Sequence, residues 1–126
     1  MINKKIKNAT VTQYNGITYR SKMEAKYARL LAESGISFQY EPEQWTIIPK
    51  FSHLGLNFRA VTYTPDFVVG KTAIEVKGWR NDVYPLKKKI IMLYLKHKKP
   101  DWNFLEVRND KDMKDSIVKL NNTSNE

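Results

Sequence analysis

The chain has 126 residues, a length that favours one domain with a hydrophobic core of its own. It contains no cysteine, which excludes disulfides and cysteine-ligated zinc and favours an intracellular location. Its 22 basic residues against 13 acidic residues give a net charge of +9, which favours a polyanionic partner, and nucleic acid rather than a membrane.

The N-terminal part of the chain is predicted to form an arm followed by a helix. Residues 1–18 are expected to be a basic arm, with a short strand or turn around Gly16. The helix begins at Ser21, because Ser21 and Glu24 have the spacing of a capping box, and it ends at Gly35. Its buried stripe consists of the apolar residues that recur with helical spacing, Met23, Tyr27, Leu30 and Leu31.

Strands are predicted for the middle of the chain. Short strands are expected at 36–40 and 45–48, and residues 50–57 are expected to form a loop. Aromatic and β-branched residues in rough alternation then predict two longer strands, 58–69 and 72–78.

The dipeptide Gly70-Lys71 separates these two longer strands. Glycine at the first central position suits a two-residue type II′ turn, and such a turn pairs Val69 with Thr72. The two strands are therefore predicted to form a hairpin of fixed register.

The register of this hairpin places charged residues together. Counting back from the turn, Asp66 falls opposite Glu75, and Thr64 falls opposite Lys77. Side chains alternate across a strand, so Asp66, Glu75 and Lys77 share one face while apolar residues take the other. One face is predicted to be core and the other to be a charged site.

Two opposed carboxylates repel each other unless something lies between them. Cβ atoms in such a pair are about 5 Å apart, and at an effective dielectric near 20 the repulsion is about 3 kcal/mol. Full solvation reduces it below about 1 kcal/mol, and an ordinary surface pair is then tolerated. In a cleft the pair requires a cation, and hard oxygen ligands favour Mg²⁺ or Mn²⁺.

The C-terminal part is predicted to alternate helix and strand. A helix is expected at 81–98 with Pro85 in its first turn, followed by a strand at 103–108 and a short helix at 111–120. Residues 121–126 are expected to be disordered. The predicted inner stripe of the first of these helices is Leu86, Ile90, Leu93 and Tyr94.

The order of elements predicts the fold class. Helix, strands, hairpin, helix and strand in succession favour an α/β fold, of the α+β kind, with a central mixed sheet flanked by helices. The expected organisation is an arm at 1–18, a single domain at 19–120 and a tail at 121–126.

Several segments together have the motifs of a known nuclease superfamily. The strongest are residues 62–67, Thr-Tyr-Thr-Pro-Asp-Phe, and 74–78, Ile-Glu-Val-Lys-Gly, preceded by Glu24 and by residues 31–41. With these, the chain resembles the PD-(D/E)XK superfamily of nucleases over roughly residues 19–108. Within it, the chain is similar to the junction-resolving endonucleases of T-odd phages and to small phage and prophage proteins. The resemblance implies a restriction-endonuclease-like core.

The resemblance also implies roles for individual residues. Asp66 and Glu75 would be ligands of Mg²⁺ or Mn²⁺, together with the backbone carbonyl of Val76. Lys77 would orient the attacking water or stabilise charge in the transition state. Glu24 would reach a second metal position, giving a two-metal site.

Each of these assignments has a structural alternative. Glu24 completes the capping box whether or not it is catalytic, and Lys77 could be an ordinary strand lysine. Glu41 is either a further site residue or a loop charge, whereas Glu43 is expected to be solvated. His53 is expected to be a surface residue, with a phosphate contact as the alternative.

Basic residues near the hairpin are the candidates for contact with a nucleic-acid backbone. The helix at 81–98 carries many lysines that could follow DNA, although a solvated face explains them as well. The predicted contacts are Arg20, Lys22, Arg59, Arg80, Lys87 and Lys88.

The expected function follows from the resemblance. It is a divalent-metal-dependent DNA endonuclease, selective for branched DNA such as four-way junctions, acting as a homodimer without a nucleotide cofactor. Residues 44–57 stand where a bridge between subunits would lie. With no membrane-spanning stretch in view, the expected location is the cytoplasm of a bacterial host, with the gene in a phage or prophage. The alternatives are a site-specific, transposon-end or repair nicking nuclease, and a non-catalytic DNA-binding module.

Overall fold

The computed structural model of the chain describes residues 11–77 and 83–124. Within them the protein is of the α+β class, with three helices and ten short strands. The helices are α1 Lys22–Glu33, α2 Tyr84–Lys98 and α3 Asp110–Ser124. The strands are β1 Thr12–Tyr14, β2 Ile17–Tyr19, β3 Gln39–Tyr40, β4 Trp45–Ile48, β5 Phe51–His53, β6 Leu56–Phe58, β7 Val61–Tyr63, β8 Phe67–Val69, β9 Thr72–Val76 and β10 Asn103–Val107.

A four-stranded sheet has the order β10-β9-β8-β3. Strand β8 is antiparallel to both β3 and β9. The Asn103 N–H at the start of β10 donates to the Lys71 carbonyl just before β9, at 2.9 Å, so these two strands begin side by side and run in the same direction. Helix α2 forms the connection between these parallel strands, as this topology requires. The predicted mixed sheet is therefore confirmed.

The chain divides into two compact units. The first consists of Met1–Ser37 and Val107–Glu126, and the second of Phe38–Glu106. The single domain expected at 19–120 stays a prediction. In the described part of the chain, no helix combines the length and the apolar character needed to span a bilayer.

Helix α1 in the first unit forms where the capping box predicts it. The Glu24 N–H donates to Ser21 Oγ at 3.1 Å, and the helix ends before Gly35, whose φ is +74°. Its buried residues include Tyr27 and Leu31, both from the predicted stripe. The Tyr27 hydroxyl also makes a hydrogen bond of 2.8 Å with Ser116 Oγ of α3.

The ends of the first unit are more regular than the sequence predicts. Strands β1 and β2 pair as a hairpin around Asn15 and Gly16, whose positive φ angles suit a type I′ turn. Part of the segment assigned to a basic arm is therefore a strand, while residues 1–10 lie outside the described residues. Residues 121–124, predicted to be disordered, continue helix α3.

The hairpin β8–β9 in the second unit has the predicted register. Val69 pairs with Thr72 across the turn, and Phe67 pairs with Ile74. Gly70 has a φ of +57° and Lys71 does not have a positive φ, which is the combination of a type II′ turn. The N-terminal strand of this hairpin is much shorter than predicted.

The predicted strand at 58–69 is wrong as a single element. It divides into the end of β6, then β7, then β8, because β7 pairs with β4 while β8 pairs with β3 and β9. The change of partner occurs around Pro65, which has no N–H to donate to a ladder. The predicted strand at 72–78 ends at Val76, and Gly78 lies outside the described residues.

The apolar stripe predicted for α2 is confirmed for Ile90 and Tyr94, which pack against the core, and is wrong for Leu86 and Leu93. Ile91 and Leu95 are buried, whereas Leu86 and Leu93 are 62% and 58% exposed. The apolar residues of this helix recur at more than one helical spacing, so the sequence does not determine which face is buried. Packing against the strands buries the face that includes Ile91. This face joins a core cluster made of Trp45, Ile47, Tyr63, Ala73, Ile91 and Leu95.

The loop predicted at 50–57 is wrong, because this segment forms the hairpin β5–β6. Leu54 and Gly55 have φ angles of +53° and +76°, as a type I′ turn requires. Residues 49–60, named the β-arm below, are exposed along their whole length.

Candidate metal and nucleic-acid site

Asp66 stands immediately before strand β8, next to the backbone of β9. Its carboxylate Oδ2 accepts a hydrogen bond from the Val76 N–H at 2.8 Å. Its carbonyl accepts from the Glu41 N–H at 2.9 Å. The pair Phe67–Ile74 is the first in the ladder, so Asp66 and Glu75 are the next two residues in the same register. The ladder ends at the Phe67–Ile74 pair, so the opposition of these carboxylates stays a prediction that the register of the hairpin supports.

Glu75 is held by a buried tyrosine. The Tyr63 hydroxyl donates to Glu75 Oε1 at 2.6 Å, and Tyr63 is only 5% exposed. Burial, the charge of Glu75 and the hydrogen bond to it raise the pKa of Tyr63 far above its usual range, and the charge of Asp66 adds to this effect. Tyr63 therefore keeps its proton and donates a hydrogen bond to Glu75, and the charges of Glu75 and Asp66 both disfavour its ionisation.

Lys77 follows directly after strand β9 and is half-buried. Its Nζ lies 4.0 Å from the centroid of the Tyr84 ring, a cation–π contact with the first residue of α2. Lys87, one turn further along the helix, has its Nζ 5.8 Å from the Tyr63 ring centroid. Two amines therefore lie against the aromatic rings that surround the end of the hairpin.

A second carboxylate cluster joins α2 to β10. The Tyr84 hydroxyl donates to Glu106 Oε2, and Lys88 Nζ lies 2.9 Å from Glu106 Oε1. Lys88, predicted to contact DNA, is therefore paired with an acid within the protein. Glu106, Tyr63 and Tyr84 were not among the predicted site residues. Residue spacing within one strand or helix does not reveal which tyrosine hydroxyl will donate a hydrogen bond to a carboxylate on another element.

Glu24 belongs to the first unit and has a structural role there. It is 7% exposed, and its Oε1 accepts a hydrogen bond from the Arg20 N–H at 3.0 Å. Its own N–H is capped by Ser21. The capping alternative is therefore realised, while a role at a second metal position stays a prediction.

The remaining predicted contacts lie in different parts of the chain. Arg20 and Lys22 are exposed near the start of α1, and Arg59 is exposed on the β-arm. Arg80 lies outside the described residues. Glu41 has a φ of +46° and is tied to Asp66 through its N–H, whereas Glu43 is exposed, as expected.

The donors at the hairpin suit a magnesium-like ion. Asp66, Glu75 and the Val76 carbonyl offer oxygen ligands only, and Mg²⁺ is typically bound through one or two carboxylates with waters and phosphates completing its shell. Within residues 11–77 and 83–124, no three acidic or histidine side chains are grouped to hold a metal ion. A site here would therefore depend on water and substrate oxygens for the rest of its coordination.

Fold and site together define an α+β protein with two carboxylates and a lysine at the end of a hairpin. The family model of DUF1064, described as a protein of unknown function, matches residues 4–111. The chain belongs to this family, and the matched region contains Glu24, Asp66, Glu75 and Lys77. No curated protein and no solved structure matches the chain.

Proposed function

We propose that this protein is a divalent-metal-dependent DNA endonuclease with a restriction-endonuclease-like core of the PD-(D/E)XK type. The observation that supports this most is the end of the β8–β9 hairpin, where Asp66 and Glu75 directly adjoin the pair Phe67–Ile74 and Asp66 accepts a hydrogen bond from the Val76 N–H. The net charge of +9 supports a polyanionic substrate.

The acidic residues would bind the metal and keep its ligands ordered. A bound Mg²⁺ or Mn²⁺ would polarise the scissile phosphate and make a bound water more acidic. Asp66, Glu75 and the Val76 carbonyl would hold it. The hydrogen bonds from Val76 N–H to Asp66 and from Tyr63 to Glu75 fix one oxygen of each carboxylate. Ligand orientation is thereby set before metal or substrate binds.

Lys77 would act on the phosphate and its attacking water. Its ammonium group has three donors and no acceptor, so it can stabilise negative charge that develops on phosphate oxygens. The contact with Tyr84 restricts where the flexible side chain places this charge. Lys77 as a residue is half-buried, and a charge that is partly shielded from water has a stronger electrostatic effect than a fully solvated one.

The substrate is branched DNA and the enzyme a homodimer in this proposal, with the cytoplasm of a bacterial host as its location. These parts rest on the resemblance alone. A comparison of four-way junction, flap, mismatch and linear duplex DNA under Mg²⁺ tests the preference directly. Preference for the linear duplex would favour the site-specific or nicking alternatives.

The central experiment is cleavage of supercoiled plasmid with Mg²⁺ or Mn²⁺, with and without chelator. Asp66→Asn should abolish cleavage and keep or strengthen DNA binding, because a negative charge near phosphate is removed. The amide oxygen of the new side chain can still accept from the Val76 N–H, so the fold is preserved. Asp101→Asn is the matched control, since Asp101 is an exposed acid of the same unit, bonded to Lys71.

Two outcomes would contradict the proposal. Wild-type cleavage by Asp66→Asn or by Glu75→Gln would exclude this metal site. DNA binding by the unmodified protein without cleavage of any substrate would favour the non-catalytic module. In that case the bonds from Val76 to Asp66 and from Tyr63 to Glu75 would serve stability alone.

The role of Lys77 is tested separately. Lys77→Ala should reduce turnover much more than DNA affinity, because its charge acts where the transition state becomes more negative. Lys71→Ala, an exposed lysine in the β8–β9 turn, is the control. Equal losses of turnover and affinity in Lys77→Ala would reduce its role to that of a phosphate contact.

A further inference from the structure

The β-arm is an exposed two-stranded ribbon. Strands β4 and β7 pair at its base, and β5 and β6 continue it with Phe51 opposite Phe58, Ser52 opposite Asn57 and His53 opposite Leu56. Every residue from 49 to 60 is exposed.

The β-arm exposes large apolar side chains. Phe51 and Phe58 are 50% and 43% exposed, and Leu54 and Leu56 are more exposed still. The two phenyl rings stack on each other with centroids 4.8 Å apart and planes inclined by 19°. The opposite face is polar, where Ser52 Oγ donates to Asn57 Oδ1 at 2.6 Å. An exposed apolar strand pair is a liability in a soluble protein unless a ligand covers it.

The charges around the phenyl rings identify the kind of ligand. Residues 44–65 include no acidic residue, and they include Lys50, His53 and Arg59. Lys50 and Arg59 adjoin the two phenylalanines in sequence. A groove of about 740 Å³ is lined by residues from both faces of the arm, namely Lys50, Phe51, Ser52, Asn57, Phe58, Arg59 and Ala60. A stacking surface bordered by cations is the arrangement that binds single-stranded nucleic acid, where bases stack on aromatic rings and cations follow the backbone. A second copy of the arm would bring like charges together, which disfavours self-association.

We propose that the β-arm binds unpaired nucleotides, with a base stacked on the Phe51–Phe58 rings and with Lys50 and Arg59 on the adjacent phosphates. This rests on the proposed function for the presence of DNA, and it names the feature of the DNA that the protein recognises. Branch points and flaps expose such bases, whereas a continuous duplex does not.

The test uses a DNA flap with 2-aminopurine in its unpaired segment, with binding followed by anisotropy in the absence of divalent metal. Phe51→Ala with Phe58→Ala should weaken binding to the flap by about 5- to 150-fold, the range expected for the loss of one stacked base. Binding to a continuous duplex should be unchanged, and the quenching of 2-aminopurine should be lost. Leu54→Ala with Leu56→Ala is the matched control, because it removes apolar surface of the same arm outside the groove.

The cations are tested by salt dependence. Lys50→Gln with Arg59→Gln should reduce the slope of log affinity against log salt by about 1.4, as expected for two phosphate contacts on a single strand. An unchanged slope would remove these residues from the interface.

Two outcomes would overturn the proposal. One is unchanged flap binding by the phenylalanine variant, with or without a change from dimer to monomer in sedimentation. The other is an equal loss of affinity for flap and duplex. Plasmid cleavage measured in parallel separates this test from that of the endonuclease. Cleavage with normal flap binding by the phenylalanine variant rejects only the arm, whereas flap binding without cleavage by the unmodified protein rejects only the nuclease.

Discussion

Removal of the Tyr63 hydroxyl tests whether the hydrogen bond to Glu75 orders the site. Tyr63→Phe keeps the ring, which packs against Trp45 and Phe104 at centroid distances of 5.9 and 6.4 Å. It removes the donor that lies 2.6 Å from Glu75 Oε1. The change therefore affects one hydrogen bond and leaves the core packing intact.

The expected magnitude follows from the burial of the two partners. A hydrogen bond to a charged group contributes about 1.5–3 kcal/mol, and Glu75 is half-buried, which favours a loss of stability at the low end of this range. Loss of a group that orients a metal ligand typically costs 10- to 100-fold, and we expect about 10-fold weaker Mn²⁺ binding and metal-dependent cleavage.

Three measurements on the same variant decide the matter. Urea unfolding gives the stability, calorimetric titration gives Mn²⁺ affinity, and plasmid cleavage against Mg²⁺ concentration gives the activity. Tyr94→Phe is the control, because the Tyr94 ring also packs on Trp45, at 5.6 Å. If Tyr63→Phe matches the unmodified protein in stability and in Mn²⁺ affinity, the bond does not hold Glu75 and the reasoning is refuted.

Three further predictions concern the fold. Ile91→Ala should lower the free energy of unfolding by about 2–5 kcal/mol because Ile91 is buried, whereas Leu93→Ala should lower it by less than about 0.5 kcal/mol because Leu93 is exposed. Equal effects of the two substitutions on urea unfolding would contradict the packing of α2. Gly70→Ala should cost about 1–2 kcal/mol, because φ is +57° there, and a neutral result in the same assay would contradict the turn. Burial raises the pKa of Tyr27 above its ordinary 10.0, so the unfolded state releases its proton first. The neutral Tyr27 therefore contributes to the free energy of unfolding below pH 10, and this contribution is lost as the pH rises further, by up to about 1.4 kcal/mol per pH unit. Tyr27→Phe should flatten this slope when urea unfolding is measured at alkaline pH.

Local signals predicted the parts of the fold that depend on few residues. A glycine in a two-residue turn determined the pairing of Val69 with Thr72. Counting along the two strands from this turn leads to the pair Phe67–Ile74, which Asp66 and Glu75 adjoin. The start of α1 was predictable for the same reason, since a capping bond joins residues three positions apart.

Features that depend on distant partners were not predictable. The face of α2 that is buried is set by its packing with Trp45 and Ala73, which no spacing within the helix reveals. The hairpin of the β-arm was missed because Leu54 occupies a turn position with φ of +53°, where leucine is uncommon. Tyr63 was missed as a site residue because its partner Glu75 lies on another strand, twelve positions away.

Strand β7 connects the β-arm to the hydroxyl that holds Glu75. Phe58 ends β6 on the arm, and Tyr63 ends β7 a few residues further along the chain. The residues of β7, Val61–Tyr63, pair with β4, with an irregularity between Thr46 and Ile48. The chain that leaves the β-arm is therefore the same strand that carries the hydroxyl donating to Glu75.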